Sequence, residues 1–391
     1  MPLLELRLLL RLKPVCRRMM CLICALLLVP GLGFAGPGAA GAQEKATALV
    51  QAREAVLIDE GSGRVLYAMN SSQRVPMASL TKVMTALLVL ENGNLDQKVY
   101  ISSMAAETGE STVSLEPGEI LSRRELLDAL LLSSANDAAT ALAESVAGTE
   151  DNFVVMMNRR ARELGLSDTH FSNSHGLNAP DHYSSAYDLA VLSRKAMANP
   201  DFQQIVATKS AVLPWVGHPW PRFLINQNRL LFRYSGVIGI KTGYTWQAGN
   251  CVIGDAQRGS LRLIAVALHS PDVYDDIENM LNYGFKNYQA CDADGSLKAV
   301  RVKVSGGLEP AVDAQPERQL IAAVLPGEER ELSYKTTVLP AIAAPVKKGA
   351  VLGAVDILLD GNQIGAVDLV AASDIPAAPT FWARLLGVLH L

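Results

Sequence analysis

The segment SLTKVMTALLVLE, residues 79–91, is the best starting point for predicting how this chain folds. Its Leu, Met and Ala residues favour a helix, and Asn92-Gly93 provides a stop signal. Ser79 and Lys82 stand at the start of this helix, so their side chains share one face with about 5–6 Å between Cβ atoms. A helix N-terminus also offers free N–H groups and a partial positive charge. The segment therefore presents a candidate nucleophile beside an amine.

The elements around this helix predict an α+β domain over residues 43–289. Glu54–Asp59 and Arg64–Met69 are β-rich runs joined by a Gly-containing turn, which predicts a hairpin. Strands from both ends of the region are expected to complete one antiparallel sheet with helices packed on it. The predicted helices are 123–147 with a bend near 133–136, 151–164, 186–197 and 272–288, and the late strands are 237–241, 251–256 and 261–268.

A change of composition near residue 290 predicts a second, small all-β domain over residues 290–375. Short β runs with Gly and Pro turns replace the helical periodicity there. Examples are Lys298–Val304, Glu331–Val338 and Ile364–Leu369. This region is expected to fold separately from the first domain.

Residues 376–391 predict an amphipathic terminal helix. At helical spacing, Phe381, Trp382, Leu385 and Leu386 fall on one arc, and polar or small residues fall on the other. We expect this helix to lie in the membrane interface, because prolines separate it from the β domain. The alternative is a helix docked on that β domain.

The first 42 residues predict a secretory signal peptide. Five basic residues lead into a short apolar run from Met19 to about Pro30, and small residues follow. An uncleaved N-terminal anchor is the alternative. Cleavage would change the net charge from −4 to −8, because five basic residues and one acidic residue leave. A net acidic chain without a basic aromatic stripe is not expected to bind nucleic acid.

Cleavage would also leave only Cys251 and Cys291 of the five cysteines. Two buried free thiols are expected, with a disulfide as the alternative. No Cys/His cluster has metal-ligand spacing, so no metal or cofactor is expected.

Two further short motifs carry candidate chemistry. Ser134-Ala135-Asn136 falls at the bend of a helical stretch, where a hydroxyl and an amide can relay a proton and hold a substrate amide. Lys241-Thr242-Gly243 falls on a predicted strand that can pair with an extended peptide. Its cation and hydroxyl suit a terminal carboxylate, and its glycine leaves room for a substrate backbone. Lys241 would also lower the pKa of Lys82 if the motifs converge.

The ordered set S-x-x-K, S-x-N and K-T-G is typical of class A β-lactamases and penicillin-binding proteins. The chain resembles low-molecular-weight penicillin-binding proteins, specifically serine-type D-alanyl-D-alanine carboxypeptidases. The resemblance covers about residues 50–290 and extends beyond the three motifs. It includes the EAVLID run at 54–59, PMASLTK at 76–82, LSSANDAA at 132–139, HYSSAYDL at 182–189 and GIKTGYT at 239–245.

This resemblance implies a transpeptidase-like fold and a mechanism. Ser79 would attack the carbonyl between two D-alanines with Lys82 as general base, and Ser134 would pass the proton to the leaving D-alanine. Asn136 would position the substrate amide, and Lys241 and Thr242 would bind the terminal carboxylate. The backbone N–H groups of Ser79 and Tyr244 would form the oxyanion hole.

The same resemblance implies the protein's partners and place of action. Peptidoglycan stem peptides would be substrates, and β-lactam antibiotics would be inhibitors that acylate Ser79. The expected location is the outer face of the cytoplasmic membrane, with peripheral attachment through the terminal helix.

Two departures and three alternatives accompany this prediction. Ala135 replaces a common glycine, and Tyr244 stands where many members have histidine. The first alternative is a β-lactamase, which would need a second base for fast deacylation. An endopeptidase using the same site is the second, and a non-catalytic peptidoglycan-binding scaffold is the third.

His175 and His182 are expected to be structural loop residues rather than acid–base groups.

Overall fold

The computed structural model describes residues 49–292 and 300–378. The predicted signal peptide, residues 1–42, lies outside the described residues. So do residues 379–391 of the predicted terminal helix. The first three residues of that prediction, 376–378, are extended and hydrogen-bond to Gly306 and Leu308, so the predicted start of the helix at residue 376 was wrong.

A five-stranded antiparallel sheet is the centre of the first domain. The predicted hairpin comprises β1 (Glu54–Asp59) and β2 (Val65–Met69). Three later strands join it: β7 (Val237–Thr245), β8 (Gly249–Arg258) and β9 (Leu261–Ser270). The order across the sheet is β2-β1-β9-β8-β7, so strands from both ends of the region complete one sheet, as predicted.

Both faces of this sheet are covered. Along β1, Val56 and Ile58 belong to a large apolar core with the main group of helices. Ala55 and Leu57 alternate with them and pack in a second core against the helix after β9, which is α9 (Val273–Asn287). Because successive side chains on a strand point to opposite faces, continuous apolar runs give a sheet buried on two sides.

The helices largely follow the sequence prediction. They are α1 (Lys82–Glu91), α3 (Arg123–Leu132), α4 (Asn136–Ala147), α5 (Glu150–Glu163) and α6 (Ala186–Ala196). The break between α3 and α4 falls where the bend was predicted. Ser79 differs from expectation, because residues Ala78–Thr81 form a 3₁₀ turn and the α-helix begins only at Lys82.

Several short elements were not predicted from the sequence. They lie in the segments that connect the helices, where runs of three to eight residues give little periodic signal. They are β3 (Lys98–Tyr100), α2 (Ser103–Glu107), β4 (Ile120–Ser122), α7 (Pro200–Ala207), β5 (Ser210–Leu213), β6 (Arg222–Ile225) and α8 (Leu230–Arg233).

The C-terminal region is a small β structure, as predicted. A six-stranded sheet has the order β14-β16-β17-β12-β11-β15, and β10 pairs with β13 beside it. The β11–β15 pair is parallel, whereas the other pairs are antiparallel. The strands are β10 (Gln289–Asp292), β11 (Val300–Ser305), β12 (Ala311–Pro316), β13 (Ile321–Val324), β14 (Leu332–Val338), β15 (Ala341–Ala343), β16 (Val351–Leu359) and β17 (Asn362–Ala371).

Buried polar contacts join the first domain to the C-terminal β region. The carboxylate of Asp59, at the end of β1, accepts the backbone N–H of Ala323 on β13 at 3.0 Å. The guanidinium of Arg194 on α6 donates to the carbonyls of Glu60 and Gly61, and also to that of Ala366 on β17. The β region is therefore fixed directly to the first domain rather than only tethered by the chain.

Three further observations concern the described residues. Cys251 and Cys291 are free thiols, and only Cys251 is fully buried, so the expectation of two buried thiols was wrong for Cys291. Within 49–292 and 300–378, no helix combines the length and apolarity needed to cross a membrane. In the same ranges, no three His, Cys, Asp or Glu side chains cluster as metal ligands would.

Candidate active site

The 3₁₀ turn brings the Ser79 hydroxyl to the amine of Lys82. Lys82 Nζ lies 2.9 Å from Ser79 Oγ. The backbone of Ala78, just before the serine, is left-handed, with φ of +49°. Such strained conformations in non-glycine residues concentrate at functional sites. The side chains of Ser79 and Lys82 are adjacent, as predicted, although a 3₁₀ turn and not an α-helix brings them together.

The amine of Lys82 is enclosed by three oxygen atoms. Besides Ser79 Oγ, it contacts Asn136 Oδ1 and the carbonyl oxygen of His175, each at 2.7 Å. The Lys82 side chain is fully buried. Burial holds its pKa well below the usual value, and the positive charge of Lys241 lowers it further. An amine that loses its proton readily beside a hydroxyl is suited to be a general base.

Lys241 is close enough to act on Lys82 electrostatically, but it is enclosed. Only 1% of its surface is exposed, and its Nζ donates to the carbonyl of Thr242 at 3.0 Å. Burial lowers the pKa of Lys241 to about 7. The predicted second cation is therefore present. Lys241 is not among the residues that line the cleft at Ser79.

Ser134 and Asn136 meet the site from the break between α3 and α4. Ser134 lines the cleft and has a left-handed backbone, with φ of +60°. Asn136 is buried, and both its amide oxygen and its amide nitrogen form hydrogen bonds. Its Oδ1 accepts from Lys82, and its Nδ2 donates to the carbonyl of Gly109 at 2.8 Å. Asn136 thus orients the general-base candidate, a contact that the sequence had not indicated.

Two glycines allow the backbone to close around Ser79. A Cβ on Gly243 would lie 3.0 Å from the Ser79 backbone nitrogen, so any larger residue on β7 would crowd the 3₁₀ turn at Ser79. Gly176 has φ of +99°, and a Cβ there would lie 2.1 Å from the Ala78 carbonyl oxygen. Gly243 was predicted to leave space for the substrate backbone. The structure adds a second reason for a small residue at this position, which is the close approach of β7 to Ser79.

A cleft of about 670 Å³ opens in front of Ser79. Five of the eight predicted site residues line it: Ser79, Ser134, Thr242, Gly243 and Tyr244. The other three are the buried Lys82, Asn136 and Lys241 described above. Additional lining residues that the motifs did not indicate include Ser111, Gln227, Arg229, Phe232 and Tyr274.

His175 and His182 both hydrogen-bond within the loop whose His175 carbonyl contacts Lys82. His182 Nε2 shares a hydrogen bond with the Thr81 hydroxyl at 2.8 Å, and its Nδ1 accepts the Ser172 N–H at 2.9 Å. His175 Nδ1 accepts the N–H of Leu177. Burial lowers the pKa of each histidine to about 4. Both are therefore neutral loop supports at physiological pH.

The arrangement by itself defines a class of protein. Ser79 and Ser134, the latter with a left-handed backbone, line one cleft. The Ser79 hydroxyl contacts the buried low-pKa Lys82, and a second buried lysine, Lys241, lies on the edge strand β7. These are the parts of a serine acyl-transfer site of the penicillin-binding type.

Comparison with known proteins agrees with this class. The family model described as D-alanyl-D-alanine carboxypeptidase matches residues 41–272, and that of the penicillin-binding protein 5 C-terminal domain matches residues 285–377. The chain is 34% identical to the D-alanyl-D-alanine carboxypeptidase DacF of Bacillus subtilis over 349 residues, 86% of this chain and 90% of the relative. It is 31% identical to DacC of Escherichia coli over 363 residues, 88% of each chain.

Solved structures show the same two-part architecture. Penicillin-binding protein 5 from Haemophilus influenzae matches with a TM-score of 0.63 and 29% identity, over 84% of this chain and 98% of that one. Penicillin-binding protein 6B from Escherichia coli matches with a TM-score of 0.62 and 30% identity, over 82% and 96%.

The chain belongs to the peptidase S11 family of D-alanyl-D-alanine carboxypeptidases. The predicted low-molecular-weight penicillin-binding class, the serine-type hydrolase activity and the α+β fold with a C-terminal β domain are thereby confirmed.

Proposed function

We propose that Ser79 is the nucleophile through which this enzyme removes the terminal D-alanine from peptidoglycan pentapeptide stems. The observation that carries this assignment is the 2.9 Å contact between Ser79 Oγ and the enclosed Nζ of Lys82. A hydroxyl is a weak nucleophile until a base removes its proton, and Lys82 has the lowered pKa that a neutral amine base requires.

In the first half-reaction, Lys82 Nζ takes the proton from Ser79 Oγ, which attacks the carbonyl carbon of the penultimate D-alanine. The backbone N–H groups of Ser79 and Tyr244 receive the developing oxyanion. As the peptide bond breaks, the proton passes through Ser134 to the leaving amine. Free D-alanine departs and the stem stays attached to Ser79 as an ester.

In the second half-reaction, water attacks that ester and restores the Ser79 hydroxyl. Lys82 is free again to accept the proton of the water. A β-lactam acylates the same oxygen by opening its ring. Its ring nitrogen stays joined to the acyl group, so no fragment needs to depart as D-alanine does.

The test is incubation of the mature protein with a pentapeptide ending in D-alanyl-D-alanine. We expect one D-alanine per peptide and one penicillin adduct per protein. S79A should lose both while keeping its circular dichroism spectrum. S103A, at an exposed position on α2, should keep both. Cleavage of a cross-linked dimer without release of terminal D-alanine would favour the endopeptidase alternative, and a normal turnover in S79A would refute the assignment.

The place of action is proposed from the sequence. Residues 1–42 direct export and are removed, and residues 376–391 attach the protein to the outer face of the cytoplasmic membrane. Deleting 376–391 should release the processed protein into the soluble fraction. A truncated, correctly processed form that still sediments with membranes would contradict this attachment.

A further inference from the structure

One carboxylate outside the cleft holds the loop that carries the His175 carbonyl. Glu150 is the first residue of α5, and its Oε1 accepts two hydrogen bonds from Ser174. The Ser174 backbone N–H donates at 2.9 Å and the Ser174 hydroxyl at 2.6 Å. Because Ser174 directly precedes His175, these two bonds fix the chain one residue before the carbonyl that contacts Lys82.

Ser174 is also held from its other side. Its carbonyl oxygen accepts the Thr85 hydroxyl at 2.6 Å. Thr85 lies on α1 three residues after Lys82, a spacing that places the two side chains on one face of the helix. Ser174 and Thr85 are both fully buried. The position of Ser174 is therefore set between Glu150 and the helix that carries the lysine.

The His175 ring makes a second approach to the same carboxylate. Its Nδ1 accepts the N–H of Leu177, so the proton of the neutral ring is on Nε2. Nε2 lies 3.7 Å from Glu150 Oε1, which is too long for a hydrogen bond but attractive for a polarised N–H. Glu150 thus contacts two successive residues of the loop.

Neither an ion pair nor the helix dipole accounts for these contacts. Among residues 49–292 and 300–378, no lysine or arginine lies within ion-pair distance of Glu150. Asp151 is the other acidic residue in the first turn of α5, where a negative charge suits the positive end of the helix. Asp151 is exposed, and of the two acids Glu150 is the one that hydrogen-bonds to Ser174.

We propose that Glu150 is a positioning residue for the general base. Its two bonds to Ser174 keep the His175 carbonyl against the Lys82 amine, and that contact directs the lone pair of the amine at Ser79. This inference rests on the function proposed above, in which the amine takes the proton of the serine. Glu150 does not line the cleft, so its effect on the reaction passes through the loop.

The experiment follows penicillin acylation in wild type, E150A, E150Q and D151A, and separates the acylation rate constant from the dissociation constant of the noncovalent complex. E150A should lower the rate constant by about 10–100-fold, the range for a slightly displaced catalytic group, and leave the dissociation constant unchanged. E150Q should keep most of the wild-type rate, because its amide oxygen can accept the same two hydrogen bonds. D151A removes a charge from the same helical turn and should acylate at the wild-type rate.

Ser174 supplies a second variant, which keeps the test available if E150A does not fold. S174A loses the hydroxyl bond but keeps the backbone N–H, so it should slow acylation less than E150A does. If Glu150 acts through Ser174, the E150A/S174A double variant should be no slower than E150A, because the hydroxyl has no carboxylate left to contact.

The role of Glu150 would be overturned, with the enzyme's function intact, by an E150A protein that acylates at the wild-type rate or loses only noncovalent binding. E150Q or D151A as slow as E150A would assign the effect to negative charge at the start of α5 instead of to hydrogen bonding. Additive losses in E150A/S174A would also contradict the proposal. A wild-type protein that releases no D-alanine and forms no penicillin adduct would instead refute the proposed function.

Discussion

The amine of Lys82 lies 2.7 Å from the carbonyl oxygen of His175, a residue 93 positions further along the chain. This carbonyl and Asn136 Oδ1 can only accept hydrogen bonds. A neutral amine has two N–H bonds and one lone pair. When the two N–H bonds point to these acceptors, the lone pair is directed at the third neighbour, Ser79 Oγ. The surroundings of Lys82 thus suit the proposed base in two ways, because they orient its lone pair and lower its pKa.

Asn136 gives a first prediction, based on charge. N136D keeps an oxygen beside Lys82 Nζ but adds a negative charge, which stabilises the ammonium and raises the Lys82 pKa. Since only the neutral amine accepts a proton, the acid limb of the penicillin acylation rate should move to higher pH. The measurement is the acylation rate across pH. N136A is the control, because it weakens acylation without adding a negative charge. If the acid limb of the N136D acylation rate stayed at the wild-type pH, the role of Lys82 as base would be contradicted.

Lys241 gives a second prediction, also about the acid limb of the penicillin acylation rate. Its positive charge lowers the Lys82 pKa, so K241Q should raise that pKa and slow acylation at low pH. Because the Lys241 pKa is about 7, wild type loses this charge above that pH. The difference between wild type and K241Q should therefore be largest below pH 7 and shrink above it.

K241R is the matched control for charge, since arginine stays protonated. It should keep the wild-type position of the limb even if the rate at its plateau falls. Equal pH profiles for wild type and K241Q would show that Lys241 does not tune the base.

Gly176 gives a third prediction, on backbone geometry. Its φ is +99°, and a Cβ added at this position would lie 2.1 Å from the Ala78 carbonyl oxygen, so a side chain cannot fit without movement of the nucleophile turn. G176A should lower the penicillin acylation rate at least 10-fold and destabilise the fold by more than about 1 kcal/mol. G165A is the control, because Gly165 also has positive φ, +72°, but has open space around it. Equal acylation by both variants would contradict this.

Arg222 gives a fourth prediction, on stability. It forms an ion pair with Glu119 at 2.7 Å, and only 5% and 7% of the two side chains are exposed. R222Q leaves a buried carboxylate without its partner and should cost about 3–5 kcal/mol in the free energy of unfolding, measured with denaturant. The R222Q/E119Q double variant should recover part of this loss.

The exposed pair of Arg301 and Asp313, with 65% and 69% of the side chains exposed, is the control for Arg222. R301Q should change the unfolding free energy by less than about 1 kcal/mol. Similar losses for R222Q and R301Q would show that burial does not set the strength of these pairs.

Strong periodicity and rare motifs made much of this protein predictable. β1 was predicted with its observed bounds, and the break between α3 and α4 was located because a polar Ser-Ser-Ala-Asn run interrupts apolar helical spacing. The 3₁₀ turn at Ser79 was not predictable, because its conformation depends on close contacts with Gly176 and Gly243 from distant segments.

The parts of the site that were missed act through backbone atoms or single exposed residues. The carbonyl of His175 carries no side-chain signal, so no motif could assign it to Lys82. Arg229 has no motif around it, and only the folded arrangement shows that it lines the cleft. Local pattern therefore indicated the candidate reacting groups, whereas the groups that contact and orient them became visible only through long-range contacts.

The Asp59 carboxylate, which accepts a hydrogen bond from the C-terminal β region, has a consequence for how the protein unfolds. Asp59 is fully buried, and one of its hydrogen-bond donors, the N–H of Ala323, belongs to the C-terminal region. Removing that region would expose the carboxylate to solvent and withdraw a donor from it. On heating in a calorimeter, both regions should consequently melt in a single endotherm, and a fragment truncated after residue 292 should melt at a lower temperature than the intact chain.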